Sequence, residues 1–96
     1  MEWRLRHLER DLILVLASDA LARNDGGEVL ELVGDLRRTG SLEEEVHELV
    51  IRAHLVLGDF SGALAEYRRY ERTLEKELGV APSENLRQLI LKARAH

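Results

Sequence analysis

The sequence predicts an all-α fold of about five helices within a single domain spanning residues 1–96. Apolar residues recur at spacings of three and four along nearly the whole chain, which is the period of an amphipathic helix. The chain holds one proline, and aromatic residues make up only 4% of it, so little material is left for strands. Turn signals containing glycine interrupt this helical period at short intervals, which indicates several helices rather than one long one.

The predicted helices fall into two pairs followed by a single helix. The first pair covers about residues 3–38, with a turn at residues 24–27 between its two helices. The second pair covers about residues 41–78 and turns at residues 58–59, and the last helix covers about residues 83–95. Because the connecting turns are short, consecutive helices are expected to pack as antiparallel neighbours.

Several residues at the predicted helix ends are typical capping residues. Ser41 would open the third helix, because Glu44 three residues later completes the pattern of a capping box. Asp59 is the expected N-cap of the fourth helix. Gly79 is expected to end that helix in the left-handed conformation, and Ser83 is expected to cap the fifth helix.

Composition and charge exclude several classes of protein. Fourteen basic residues stand against 18 acidic ones, which gives a net charge of −4. A protein that binds DNA by itself usually carries a basic excess, so no direct nucleic-acid binding by this chain alone is expected. The longest apolar run, residues 12–17, is far shorter than the roughly 20 residues of a membrane span. The absence of cysteine fits a reducing compartment, and the expected location is the cytoplasm.

The motifs give no support for catalysis, a cofactor or a metal site. The stretch "HELVIRAH" invites comparison with a zinc protease helix, but that motif needs a histidine where this chain has Ile51. His47 and His54 lie two helical turns apart, about 10 Å, which is too far for one metal ion. The many carboxylates are expected on solvated helix faces beside arginine and lysine partners. The sequence therefore predicts a protein that is not an enzyme and has no cofactor.

Basic residues cluster weakly in the fourth helix, at Arg68, Arg69 and Arg72. Solvated helix faces explain such a group, because acidic and apolar residues are interspersed with the arginines. Contact with phosphate is the alternative explanation.

An internal repeat is indicated when the chain is shifted by 34 residues, the tetratricopeptide period. Apolar positions then coincide with apolar positions, and turns coincide with turns. The stretch "LGDFSGALAEY" resembles the turn and second helix of such a repeat, with Ala63 small where two helices cross. The chain departs from the repeat pattern at Ile51, where a glycine is usual, and at Val29. The predicted architecture is tetratricopeptide-like antiparallel hairpins plus a C-terminal helix.

The second half of the chain also carries the marks of one family. The stretches "LVIRAHLVLGD" and "ALAEYRRYERTLEKELGVAPS" and the leucine-rich helix behind them resemble the bacterial transcriptional activator domain, the helical repeat module of SARP-type regulators. Residues 1–40 are compatible with this family but carry no distinctive motif. The resemblance implies a non-catalytic interaction and oligomerisation module of a bacterial transcription regulator, without a DNA-binding domain of its own. The alternative is a stand-alone tetratricopeptide-like adaptor or scaffold unrelated to transcription.

Two surfaces are expected to bind protein partners. If the helices pair as in tetratricopeptides, the third helix presents Glu48, Arg52 and Leu55 to a partner peptide or helix, unless the fifth helix covers them. The first helix is apolar all round between residues 12 and 17, which indicates burial on more than one side. No earlier helix is there to cover it, so either the last helix folds back over it or another chain or a missing domain covers it. The second is expected, and self-association, as a homodimer, is its commonest form. The residues assigned to that contact are Trp3, Leu5, Leu8, Leu12 and Val15.

Overall fold

Five α-helices make up the computed structural model, which describes residues 2–38 and 40–95, with side chains from residue 8 onward. The helices are α1 (Glu2–Ala22), α2 (Gly26–Arg38), α3 (Glu44–Val56), α4 (Phe60–Leu78) and α5 (Glu84–Arg94). No strand occurs in the described part of the chain, so the predicted all-α class with five helices is confirmed. Within these residues, no helix is both long and apolar enough to cross a membrane.

Side-chain caps explain where three of the helices begin. The Asp25 carboxylate accepts a hydrogen bond from the backbone N–H of Glu28 at the start of α2 (3.1 Å). Asp59 caps α4 by accepting from the N–H of Gly62 at 2.9 Å, as the sequence predicted. Ser83 caps α5 in the same way, through the N–H of Leu86 at 3.2 Å.

The predicted capping box at Ser41 is wrong. The third helix begins at Glu44, two residues later than a Ser41 N-cap requires, and its N-cap residue Glu43 makes no side-chain cap. Ser41 instead accepts a hydrogen bond from the N–H of Glu43 at 3.2 Å, which is a local turn before the helix. The carboxylate of Glu44 does not complete a capping box at the start of α3, and instead accepts hydrogen bonds from a residue distant in sequence.

That residue is Ser83, at the corner between α4 and α5. Gly79 ends α4 with a φ of 67°, the left-handed conformation that the sequence predicted. The chain then turns through Pro82, and the Glu44 carboxylate accepts hydrogen bonds from both the backbone N–H (3.0 Å) and the hydroxyl of Ser83. One residue of α3 thereby fixes the start of α5, although the two positions are 39 residues apart.

α3 lies at the centre of the packing, because it contacts α1, α2 and α4. Its residues contribute to two apolar clusters. The first joins α3 to α1 and α2 and consists of Leu14, Ala17, Ala20, Val29, Val33, Val46, Leu49, Val50 and Ala53. The second joins α3 to α4 and α5 and consists of Ile51, Ala63, Tyr70, Leu74, Leu86 and Ile90. Ala63 is fully buried, in agreement with its assignment as a small residue at a helix crossing.

α2 lies close to α3 at a glycine, Gly26. A Cβ atom added to Gly26 would lie 2.6 Å from the backbone oxygen of Ala53 and 2.9 Å from Cγ of Leu57. The neighbouring Gly27 has open space, since its nearest contact would be 3.8 Å from an Asp25 oxygen. Only the first of the two glycines is therefore required by packing.

We expect Gly26→Ala to lower the free energy of unfolding by about 1–3 kcal/mol, because the backbone of α3 must shift to admit the methyl group. Gly27→Ala is the matched control on the same turn and is expected to be neutral or to stabilise by up to about 1 kcal/mol, since alanine favours the helix. Urea unfolding of both variants measures this difference. Equal free energies of unfolding for the two variants would show that the close approach at Gly26 is unimportant.

Candidate protein-interaction surfaces

α1 has one buried face and one exposed apolar face. Leu14, Ala17 and Ala20 are buried against α2 and α3, as expected for the inner side of an amphipathic helix. On the opposite side, four large apolar residues are exposed, with 61%, 59%, 64% and 44% of their surface accessible for Leu8, Leu12, Val15 and Leu16. We call these four residues the α1 stripe.

The side chains of the α1 stripe are not covered by another described element of this chain. α5 packs against α4 instead, so the last helix does not fold back over α1. Trp3 and Leu5, which were also assigned to self-association, lie outside the residues whose side chains the structure describes. A contiguous apolar surface of this kind is typical of a protein contact, whereas single exposed leucines are common on any surface.

A second candidate surface is a groove of about 360 Å³. It lies where the end of α1, the outer face of α3 and one side of α5 meet. Two of the three residues predicted on the partner face, Arg52 and Leu55, line it directly. α5 forms one wall and leaves the groove open, so it does not cover the predicted face. The lining residues are Leu21, Asn24, Arg52, Leu55, Val56 and Leu89.

Glu48, the third residue predicted on this face, holds Arg52 rather than lining the groove. Its carboxylate accepts a hydrogen bond from Nε of Arg52 at 2.9 Å, four residues along the helix. Both side chains are more than one-third exposed, so this ion pair adds little stability. Its effect is to hold the guanidinium group of Arg52 in place beside the mainly apolar groove.

One of the buried polar side chains is a carboxylate that the sequence analysis placed on a solvated face. Glu66 of α4 is only 3% exposed. Its Oε2 accepts a hydrogen bond from Nδ1 of His47 at 2.7 Å. Its Oε1 lies 3.5 Å from Nε of Arg37 and 3.5 Å from Nη1 of Arg69. The prediction of solvated carboxylates is therefore wrong at Glu66, where three helices bring cations to one buried anion.

His47 connects this carboxylate to the turn before α3. Its second ring nitrogen, Nε2, lies 2.7 Å from the backbone oxygen of Ser41. Both ring nitrogens of His47 are thus engaged by oxygen atoms of the protein. The ring also stacks on Tyr70 at a centroid distance of 4.1 Å, and the Tyr70 hydroxyl donates to the backbone oxygen of Leu42 at 2.8 Å.

The pKa of Glu66 reflects a balance between burial and these partners. Burial alone raises the pKa of this carboxyl group, because it disfavours the charged form. The hydrogen bond from His47 and the positive charges of Arg37, His47 and Arg69 act in the opposite direction and outweigh burial. The pKa of Glu66 is therefore lower than its ordinary value of 4.5, and the group is ionised in the folded protein at neutral pH.

A signal for the burial of Glu66 is present in the sequence. The residue lies three positions after Ala63 and four before Tyr70, both of which are buried on the inner face of α4. A charged residue on an apolar stripe indicates a buried ion pair, since such residues are rarely buried without a partner. Arg69, three residues along the same helix, is the one partner that spacing could have indicated. Arg37 and His47 could not be identified in this way, because they belong to other helices.

His47 and His54 differ in how deeply they are buried and in their neighbours. His47 is buried and His54 is partly buried. Among the described residues, no group of three or more histidine, aspartate or glutamate side chains could hold a metal ion. Nδ1 of His54 lies 3.3 Å from Oδ2 of Asp59, the cap of α4, but makes no hydrogen bond to it.

Comparison with known proteins gives one match that covers nearly the whole chain. The family model described as the bacterial transcriptional activator domain matches residues 1–94. No curated protein and no solved structure matches the chain. The match extends over the first 40 residues, where the sequence alone carried no distinctive motif.

We expect Glu66→Gln to destabilise the protein by about 3 kcal/mol at neutral pH, because it removes the anion from a buried group of cations. A carboxyl group whose folded pKa is depressed contributes stability above its unfolded pKa and loses that contribution as the pH falls through the folded pKa. In the parent protein this part of the stability is therefore lost as the pH falls below about 4.5. Glu66→Gln should not show this loss of stability at acid pH. Urea unfolding as a function of pH measures both effects.

Glu71→Gln is the control for this comparison, because Glu71 is an exposed carboxylate on the same helix. Its effect at neutral pH is expected to stay within about 0.5 kcal/mol. The same acid dependence below pH 4.5 in the parent protein and in Glu66→Gln would contradict the assignment of the depressed pKa to Glu66.

Proposed function

The chain belongs to the bacterial transcriptional activator domain family, and we propose that it serves a bacterial transcription regulator as a non-catalytic module that pairs with a second copy of itself. The family is regulatory, so the transcription-related role follows from membership. The net charge of −4 supports the further proposal that DNA is contacted by another domain or protein. Such a regulator would act in the cytoplasm. A stand-alone adaptor, the alternative from sequence, has no observation of its own in its favour.

The α1 stripe is the observation that supports self-association. Its members are arranged almost symmetrically about Leu12, with Leu8 four residues before it and Val15 and Leu16 three and four residues after it. A two-fold axis near Leu12 would therefore place the stripe of one copy, running antiparallel, against the same stripe of the other. Such self-complementary contacts are the commonest arrangement in homo-oligomers.

The energetic gain from this contact comes from apolar surface that the single chain leaves in water. Leu12 is 59% exposed and Val15 is 64% exposed. Full burial of a side chain of this size contributes about 1.5–3 kcal/mol. The stripe spans about 12 Å of helix from Leu8 to Leu16, which is long enough for two helices to interdigitate over more than two turns.

The groove beside α3 is the second contact in this proposal, and its occupant is a partner chain rather than the second copy. Its walls are formed by Leu21, Leu55 and Leu89, which suit apolar side chains of a helix or peptide. Arg52 and Asn24 supply polar groups for orientation. A groove with apolar walls and a few polar groups is typical of surfaces that bind peptides and helices.

We expect the parent protein to sediment as a dimer and Leu12→Glu to sediment as a monomer. The substitution places a carboxylate at the proposed two-fold axis, where it would meet its own copy without a partner. It should leave the fold intact, because Leu12 contributes to neither apolar cluster. Sedimentation equilibrium over a range of protein concentrations, with far-UV circular dichroism of each variant, makes the measurement.

Arg52→Glu is the matched variant in the groove. It places two carboxylates four residues apart on α3, which costs only about 0.2–0.5 kcal/mol, so the variant should fold. It is expected to remain dimeric, because the groove and the stripe lie on different surfaces. A parent protein that is monomeric at every concentration would refute self-association, and a monomeric Arg52→Glu would move the self-contact to the groove.

A further inference from the structure

A recess of about 230 Å³ lies between the end of α2 and the middle of α4, away from both surfaces described above. We propose that it binds a phosphate group. Three arginines from two helices converge on it, although the chain as a whole is acidic. The lining residues are Arg37, Arg38, Gly40, Ser41, His47, Arg69, Tyr70 and Thr73.

The positive charge in the recess exceeds the negative charge. Arg37 and Arg69 both approach the same oxygen of Glu66, each at 3.5 Å, which is longer than an ordinary hydrogen bond. One buried carboxylate is thus shared between two guanidinium groups and the ring of His47. Arg38 is the third cation, and it pairs with the exposed Asp35. An anion bound in the recess would balance this excess.

Two side chains that line the recess keep hydrogen-bond donors that their contacts within the protein do not use. Arg37 turns Nε toward Glu66, and its two terminal nitrogens make no hydrogen bond to another described residue. The Ser41 hydroxyl accepts a hydrogen bond from Glu43, so its own proton remains available. Guanidinium groups bind phosphate oxygens through paired N–H donors, and the two terminal nitrogens of Arg37 can serve as such donors.

The remaining polar groups of the recess hold its shape. The Thr73 hydroxyl donates to the backbone oxygen of Arg69 at 2.9 Å, and the Tyr70 hydroxyl donates to that of Leu42 at 2.8 Å. These two side chains form walls without offering donors to a ligand. His47 uses both ring nitrogens internally and supports the floor.

A favourable interaction with the helix dipole explains the positions of only two of the three arginines. Arg37 and Arg38 lie in the last turn of α2, where cations stabilise the negative end of a helix. Arg69 lies in the middle of α4, so no helix end accounts for its position. Its nearest anion, Glu66, is already hydrogen-bonded to His47.

The size of the recess limits the ligand. Sites for whole small molecules usually enclose about 300–1,000 Å³, whereas this recess has room for a phosphate group and a few attached atoms. Duplex DNA is disfavoured, because DNA-binding surfaces neutralise many phosphates and this recess takes one. Free phosphate, a phosphorylated metabolite and a phosphorylated side chain share the required chemistry.

The test is a titration of the full chain followed by NMR at the backbone amides of Gly40 and Ser41. Inorganic phosphate is expected to shift both resonances to saturation, and sodium chloride at matched ionic strength is not. A phosphoserine peptide that binds more tightly than inorganic phosphate assigns the site to a phosphorylated side chain. Tighter binding of inorganic phosphate assigns it to free phosphate or a small phosphorylated molecule.

Arg38→Gln and Arg69→Gln are each expected to weaken phosphate binding about tenfold, as loss of one charged hydrogen bond implies. Arg38 does not touch Glu66, so its variant keeps the buried ion cluster intact. Arg68→Gln removes the same charge from an exposed neighbouring position outside the recess and should bind normally. The absence of a saturable shift, or equal weakening by Arg68→Gln and Arg69→Gln, would overturn the proposal.

Discussion

The buried carboxylate of Glu66 is the constraint on which the arrangement of three helices depends. An isolated charge in the interior is very costly, so Glu66 requires that its partners stay in place. Arg37 brings the end of α2 to it, and His47 brings α3. Because His47 also holds the backbone oxygen of Ser41, the turn before α3 is fixed by the same contact. Sliding α2 or α3 along α4 by one turn would remove Arg37 or His47 from the anion, so the cluster favours one register.

The rest of the fold is built outward from α3. One apolar cluster joins it to α1 and α2, and the other joins it to α4 and α5. The corner before α5 is secured by Glu44 and Ser83, which places Leu89 as a wall of the groove. On the far side, the burial of Leu14 and Ala17 turns the α1 stripe outward. The proposed contact surfaces are therefore consequences of the packing around one central helix.

Local signals in the sequence were sufficient for the helices and for most of their ends. The positions of Asp59, Gly79 and Ser83 agree with prediction, because caps depend on residues close in sequence. Two features were not predictable in this way. Glu44 was assigned to a local capping box but is held by a residue 39 positions away, and Glu66 was assigned to solvent but is held by residues of two other helices. Both depend on tertiary contacts that spacing along one helix does not encode. The tetratricopeptide-like repeat and the partner residues remain predictions.

Pairing of two α1 helices about Leu12 is tested most directly by a disulfide. The chain contains no cysteine, so Leu12→Cys introduces a single thiol. A two-fold axis near this position brings the Cα atoms of the two cysteines to within roughly 6 Å of each other, the separation that a disulfide requires. Mild oxidation of dilute protein should then give rapid and nearly complete covalent dimer, whereas Leu91→Cys, at an exposed leucine of α5, should remain largely monomeric. Equally slow cross-linking of the two variants would contradict self-association through the α1 stripe.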